Sequence, residues 1–337
     1  MAVPPRRDAL CDNGLFPKDG GGEGKQENVS KLRISIVEYL NTAPLVWGFT
    51  NGPLAGRYEL SFTVPSLCAE ALRTGAVDVA IIPSIEYQRM EGVVALPEIS
   101  IAAKHEVRSL LLVANKPIER AQRVALDQSS RSTQALVHLL CAGRWKISPE
   151  FVQAAPDPAA MLADADAALV IGDPALRIAI RLDELAGKRP GGEFCCGGDP
   201  ESQPVPGVDT LFVYDIAYEW QQMTGLPCVL AIWAGRKEAV APEVVADFAA
   251  SKEYGLSRIA EIADGASLKL NLPASALETY LRDNIDFSLD EANHRGLELY
   301  FRKCAELGLI PRARPLEFAA APAAFTRNEW KGARAAT

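Results

Sequence analysis

Histidine is scarce here: three residues in a chain of 337, too scattered to gather around a metal ion. Cysteine is sparse and irregular. The seven Cys show no metal-ligand spacing, and an odd number fits reduced cytoplasmic thiols better than a disulfide framework. No run of about 18 apolar residues is present to span a bilayer. Residues 1–30 are polar and Gly-rich, as in Gly20-Gly21-Gly22-Glu23-Gly24, without the apolar core of an export signal. The expectation is a soluble cytoplasmic protein with a disordered tail over residues 1–30. An excess of positive charge is missing too. The net charge of −8 argues against nucleic acid or an anionic membrane as the main partner, so an anionic ligand has to be captured by local geometry.

What is present is an ordinary globular composition, 48% apolar and 23% charged, in a chain long enough for two lobes. Strand-like runs recur and end in polar turns. Leu32 to Val37 alternates and leads into Tyr39-Leu40-Asn41-Thr42-Ala43-Pro44. Leu60 to Val64 alternates again, with Ser66 expected to cap a helix from Leu67 to Thr74 and Gly75 to close it. Val77 to Ile82 and Ala167 to Ile171 are nearly continuous apolar runs, as in parallel strands buried on both faces. This pattern predicts α/β lobes whose ligands sit outside the carboxyl ends of the strands.

The stretch Asp127-Gln128-Ser129-Ser130-Arg131-Ser132-Thr133 stands between a strand-like Val124-Ala125-Leu126 and a helical run from Ala135. A helix start offers unpaired amides and a partial positive charge, which suits a carboxylate or phosphate. The same residues also make an ordinary helix cap. Tyr39, Asn41 and Thr42 admit two readings likewise, ligand contacts or turn capping, and Ser84 reads as a helix cap after the strand at Ile82. Asp173 with Pro174 reads as the cap and first residue of a helix, while Gly172, lacking Cβ, offers its backbone to an approaching ligand. Cys195-Cys196, in a Gly/Pro-rich stretch over 187–208, reads as a solvated thiol pair. Asp286, Asp290, Glu291 and His294 gather at a helix start, where acids complement the dipole.

Taken together, Tyr39-Leu40-Asn41-Thr42, Ile82-Pro83-Ser84-Ile85-Glu86-Tyr87, Asp127 to Ser132, Ile171-Gly172-Asp173-Pro174-Ala175-Leu176, and Glu219-Trp220 with Thr224-Gly225-Leu226-Pro227 resemble the chorismate dehydratases. That family carries out the first step of the futalosine route to menaquinone. The resemblance runs from about residue 32 to about residue 310 and leaves out the N-terminal tail and the stretch around Cys195. It implies a two-lobed α/β fold similar to type II periplasmic binding proteins, with the ligand in the cleft between lobes. Residues 31–112 and 233–315 would form a discontinuous first lobe, 113–232 the second, and 316–337 a loose tail.

The implied reaction turns chorismate into 3-(1-carboxyvinyloxy)benzoate and water, without a cofactor or metal. Its substrate carries two carboxylates, which strand-end turns and a helix start hold without a basic patch. Asn41 and Ser84 are the expected catalytic residues. Tyr39, Thr42, Ser129, Ser130, Arg131, Ser132, Thr133, Gly172 and Asp173 are the expected substrate contacts. The motifs offer no His and no facing pair of carboxylates as base, so the substrate's own enolpyruvyl carboxylate is the expected proton acceptor, with Glu86 as rival and Asp173 as a weaker one. A solute-binding protein of the same fold and the pathway's sister enzyme are the alternatives. No motif speaks to oligomeric state.

Overall fold

The alternating and continuous apolar runs do form strands, and their polar ends converge. A computed structural model describes residues 31–186 and 211–321. The tail over 1–30, the Gly/Pro-rich stretch with Cys195-Cys196, and residues 322–337 lie outside the described residues. In chain order the first elements are β1 (Arg33–Val37), a short 3-10 turn at Leu40–Thr42, α1 (Ala43–Thr50), β2 (Glu59–Thr63), α2 (Pro65–Thr74), β3 (Val79–Pro83), α3 (Ser84–Tyr87) and β4 (Val93–Ala103). Next come β5 (Leu110–Ala114), β6 (Arg123–Asp127), α4 (Ser132–Leu140), β7 (Glu150–Ala154), α5 (Pro158–Asp164), β8 (Ala167–Ile171), α6 (Gly172–Ala186), β9 (Phe212–Asp215) and α7 (Ile216–Thr224). The chain finishes with β10 (Cys228–Arg236), α8 (Pro242–Leu256), α9 (Ile259–Leu270), α10 (Ala274–Thr279) and α11 (Glu291–Glu306).

These strands build two five-stranded sheets, ordered β2-β1-β3-β10-β4 and β7-β6-β8-β5-β9. The two repeat one plan. β1 runs parallel to β2 and β3, and β6 runs parallel to β7 and β8. In each sheet one antiparallel strand follows: β10 beside β3 in the first, β5 beside β8 in the second. That strand is the one the chain enters after leaving the other lobe. Parallel strands need covering helices on both faces, which is why β3 and β8 are buried along their whole length. The fold is thus two-lobed α/β, with the exchanges between Ala103 and Leu110 and between Thr224 and Cys228, a few residues before the expected changes of lobe.

Some local readings shift. α2 starts at Pro65, ahead of the expected Leu67, because proline at the first helical position is already set to helical φ, and Gly75 ends the helix at φ 78. α6 starts at Gly172, so Asp173 lies inside the first turn and is not the cap. β4 is hard to read in sequence because Pro97 and Glu98, the latter at φ 62, interrupt it, and its pairing with β10 slips in register there. The start of the expected loose tail is paired: Ala95 receives Ala319 N–H and donates its own N–H to Glu317. The largest apolar cluster joins both lobes, with Trp220, Trp233, Tyr280 and Phe248 among its most buried side chains.

Candidate active site

In the first lobe the site begins where β1 runs out. Tyr39 is still extended, and the Leu40–Thr42 turn after it is buried. Asn41 is 9% exposed and Thr42 wholly buried, with the Thr42 hydroxyl 3.4 Å from Asn41 Oδ1. β3 ends in the same way. Ser84 opens α3, is fully buried, and donates its hydroxyl to the Val229 carbonyl at 2.8 Å.

In the second lobe Asp127 ends β6 and organises the serine-rich turn. Its Oδ1 accepts the Ser129 N–H at 2.8 Å and the Ser129 hydroxyl at 2.7 Å, and its carbonyl accepts the Ser130 N–H at 3.1 Å. Burial pushes the Asp127 carboxyl pKa up, and the Ser129 bonds offset part of that rise. The turn is therefore held by Asp127, and no side chain caps α4. Arg131 occupies the cap position with an exposed side chain. The first helical bond joins Ala135 N–H to Arg131 O at 3.3 Å, so the amides of Ser132, Thr133 and Gln134 stand ahead of it. The helix-cap reading of Ser129 to Thr133 does not hold, because the capping oxygens are turned elsewhere.

The Ser129 hydroxyl turns back to Asp127, and that of Ser132 turns across the cleft. Ser132 Oγ lies 3.1 Å from Ser84 Oγ and accepts the Ile85 N–H at 3.2 Å, so a serine of one lobe caps a helix of the other. Leu40 N–H reaches Asp173 Oδ1 at 3.1 Å. Gly172, at φ 68, faces the Tyr39 ring so closely that a Cβ built on it would lie 2.7 Å from the ring. The space over the Gly172 backbone, expected to admit a ligand, is filled by the Tyr39 ring. The Tyr39 phenol also stands beside Ser129, and its pKa is raised by burial first and by Asp127 next. Of the expected residues, Tyr39, Asn41, Thr42 and Ser84 meet Ser129, Ser132, Gly172 and Asp173 at one seam. Ser130 and Thr133 are buried in the same turn, and Arg131 points away. The lobes touch, so the cleft stands closed. Cavities of about 270 Å³, beside Arg73, Arg89 and Arg236, and about 230 Å³, beside Phe301 and Arg314, lie away from this seam.

Sequence reasoning missed two tyrosines at the seam. Tyr280 donates to Ser109 Oγ at 2.9 Å, and its phenol lies beside Asn41. Tyr300 donates to the Ser132 carbonyl at 3.0 Å. Both tyrosines come from helical stretches that read as plain cover for the first lobe, and nothing local marks them.

The two acids near the cleft differ. Glu86 is 3% exposed and held by both Arg73 and Arg89, the latter at 2.8 Å, on the far side of α3. Asp173 is buried at the seam, and burial raises its carboxyl pKa to about 6, against the lowering effects of Leu40 N–H and Arg177. Asp286, Asp290 and His294 do sit at a helix start: Asp290 caps α11 through Asn293 N–H at 2.8 Å, and Lys104 bridges both acids. Among the described residues no cluster of His, Cys, Asp and Glu fits a metal ion, and no helix is long and apolar enough to cross a membrane.

Comparison with known proteins identifies the family and the fold. A family model described as menaquinone biosynthesis matches residues 32–306. The chain is 27% identical over 272 residues to the chorismate dehydratase of Thermus thermophilus, covering 79% of this chain and 93% of that protein. Among solved structures, a protein of Archaeoglobus fulgidus is similar at TM-score 0.64 and 16% identity, over 84% of this chain and all (100%) of that one. The periplasmic aliphatic sulphonate binding protein of Escherichia coli is similar at TM-score 0.52 and 17% identity, over 86% and 94% of the two chains. These structural likenesses speak to the two-lobed binding-protein fold alone. The matched span holds every strand end at the seam, and the chain belongs to the menaquinone biosynthesis family, with its likeness in that family to chorismate dehydratase.

Proposed function

We propose that this protein is a chorismate dehydratase, a carbon–oxygen lyase that converts chorismate into 3-(1-carboxyvinyloxy)benzoate and water in the cytoplasm. The observation that carries the reading is the seam itself. The start of α4, with its amides ahead of Ala135 and a partial positive charge, meets Ser84 of the other lobe through Ser132. A dianion is thereby held by an acidic protein without a basic patch. The buried free thiols of Cys68, Cys141, Cys228 and Cys304 suit a reducing compartment.

In the reaction the ring carbon bearing the enolpyruvyl ether loses its proton, that electron pair becomes part of the ring, and the neighbouring C–O bond breaks. The proton and hydroxide leave as water. Aromatisation drives the step. The amides of Ser132 and Thr133, in the turn formed by Ser129, Ser130 and Arg131, hold one carboxylate, and Tyr39, Thr42, Gly172 and Asp173 shape the wall around the ring. Asn41 donates to the ring carboxylate or the departing hydroxyl, and Ser84 orients the enolpyruvyl group. Losing such a donor costs about 2.7–4 kcal/mol in the transition state.

The substrate's enolpyruvyl carboxylate is the base in this reading, folded over the ring by the closed cleft. Two observations support it. Glu86 is occupied by two arginines behind α3, and Asp173 spends an oxygen on Leu40 N–H. Glu86→Gln and Asp173→Asn should then both retain turnover, and loss of turnover with unchanged chorismate binding in either variant would transfer the role to that acid. The decisive experiment mixes purified protein with chorismate and follows the aromatic product. No product from folded protein overturns the enzyme reading, and binding without product favours a small-anion solute-binding protein.

A further inference from the structure

A hydroxyl carries one proton, and this fixes the direction of the bonds at Ser84. Ser84 gives its proton to the Val229 carbonyl at 2.8 Å, so the 3.1 Å contact with Ser132 is a bond from the Ser132 hydroxyl to Ser84 Oγ. Ser132 Oγ in turn accepts the Ile85 N–H at 3.2 Å. The pair is ordered only if the first turn of α4 keeps its place against α3. What keeps it there comes from the far end of the chain. Tyr300, on α11, is 3% exposed and donates its phenol to the Ser132 carbonyl at 3.0 Å.

Tyr300 is itself seated. Its ring meets Trp220 edge-on, with centroids 6.1 Å apart and planes at 85°. Trp220 donates its indole N–H to the Pro227 carbonyl at 3.0 Å, in the second crossover between lobes. On the same carbonyl packs Gly296 of α11, where a built Cβ would come within 2.2 Å. The motif residues Trp220 and Pro227, which touch no reacting group, thus become the mount of Tyr300.

The geometry points to Tyr300 as a positioning residue for the reaction: by holding the Ser132 carbonyl it aims the Ser132 hydroxyl at Ser84 Oγ. Tyr300 acts through Ser132 and does not touch substrate. The inference rests on the chorismate dehydratase reading and deepens it, since it assigns the ordering of the Ser84 oxygen to a residue of the covering helix.

The test is Tyr300→Phe, which keeps the ring and removes the hydroxyl. It is assayed with chorismate alone and in combination with Ser132→Ala, beside wild type and Asn41→Ala. The kcat of Tyr300→Phe should fall roughly tenfold, the size of one lost neutral hydrogen bond, while KM stays within about twofold. In the Ser132→Ala background the same change should be silent, because no hydroxyl is left to aim. Wild-type kcat in Tyr300→Phe, or an equal further loss on top of Ser132→Ala, overturns the inference. Should Tyr300→Phe fail to fold, Trp220→Phe, which loosens the mount and keeps the phenol, is read by the same kcat loss and the same silence. Absence of product from folded wild type overturns the dehydratase reading, and this inference with it. Product from wild type, lost in Asn41→Ala but unchanged in Tyr300→Phe, overturns this inference alone.

Discussion

Leu40 of the first lobe donates its backbone N–H to Asp173 of the second at 3.1 Å, so a main-chain donor at one strand end is matched by a buried carboxylate at another. The bond ties the two halves of the site together. Asp173 is 4% exposed, and Arg177, Glu38, Tyr39 and Tyr280 are the charged or titratable groups that surround it. An acid in that place makes stability depend on pH.

The sign is set by the raised pKa. In the fold Asp173 titrates at about 6, above roughly 3.9 for an unfolded Asp. Its contribution is fully present below the unfolded value and is lost as pH rises through about 6. Asp173→Asn keeps an acceptor for Leu40 N–H and removes the buried charge. Denaturant melts should show the variant gaining on wild type between pH 4 and pH 7.5 by on the order of 2 kcal/mol. Asp215, also raised to about 6 by burial, is common to both proteins and cancels. A difference that does not change with pH would remove Asp173 as the source.

Glu86→Gln separates stability from chemistry. The change leaves Arg73 and Arg89, 39% and 35% exposed, beside a neutral amide. Water can reach both guanidinium groups, so the loss should be about 1–2 kcal/mol, below that for breaking a fully buried pair. Thermal unfolding should drop by several degrees while kcat with chorismate stays within a few-fold. A collapse of kcat at full stability would mean that Glu86 takes part in proton transfer.

At Gly172 two penalties coincide. The left-handed φ of 68 strains any L-residue, by roughly 1–2 kcal/mol, and a Cβ would meet the Tyr39 ring at 2.7 Å. Gly172→Ala should therefore lose stability and push Tyr39 off its seat, raising KM for chorismate more than it lowers kcat. Steady-state kinetics decide this, and an unchanged KM would show that Tyr39 does not wall the substrate.

Asn41→Ala should cost about 2.7–4 kcal/mol in kcat/KM if the amide donates to the transition state. Because Asn41 lies beside the buried Tyr280 phenol, Tyr280→Phe should reproduce a smaller part of that loss. Additive losses in the double variant would mean that the two act separately.

Sequence by itself determined the α/β alternation, the buried strands β3 and β8, and the polar turns after β1, β3, β6 and β8. Each follows from a local period or from the residues at a strand end. It also singled out Asn41, Ser84 and the serine-rich turn as polar groups at strand ends. The tertiary structure alone decided what those turns meet. Nothing near Ser132 in the chain shows that its hydroxyl caps α3, a helix 47 residues away, and nothing near Asp173 shows that its acceptor role lies across 133 residues at Leu40. Tyr280 and Tyr300 are equally silent in sequence, for a tyrosine on an amphipathic helix reads as core until its partner is known. Periodicity reports which face of an element is buried. Which polar atom waits on the other side is fixed only when the two lobes close.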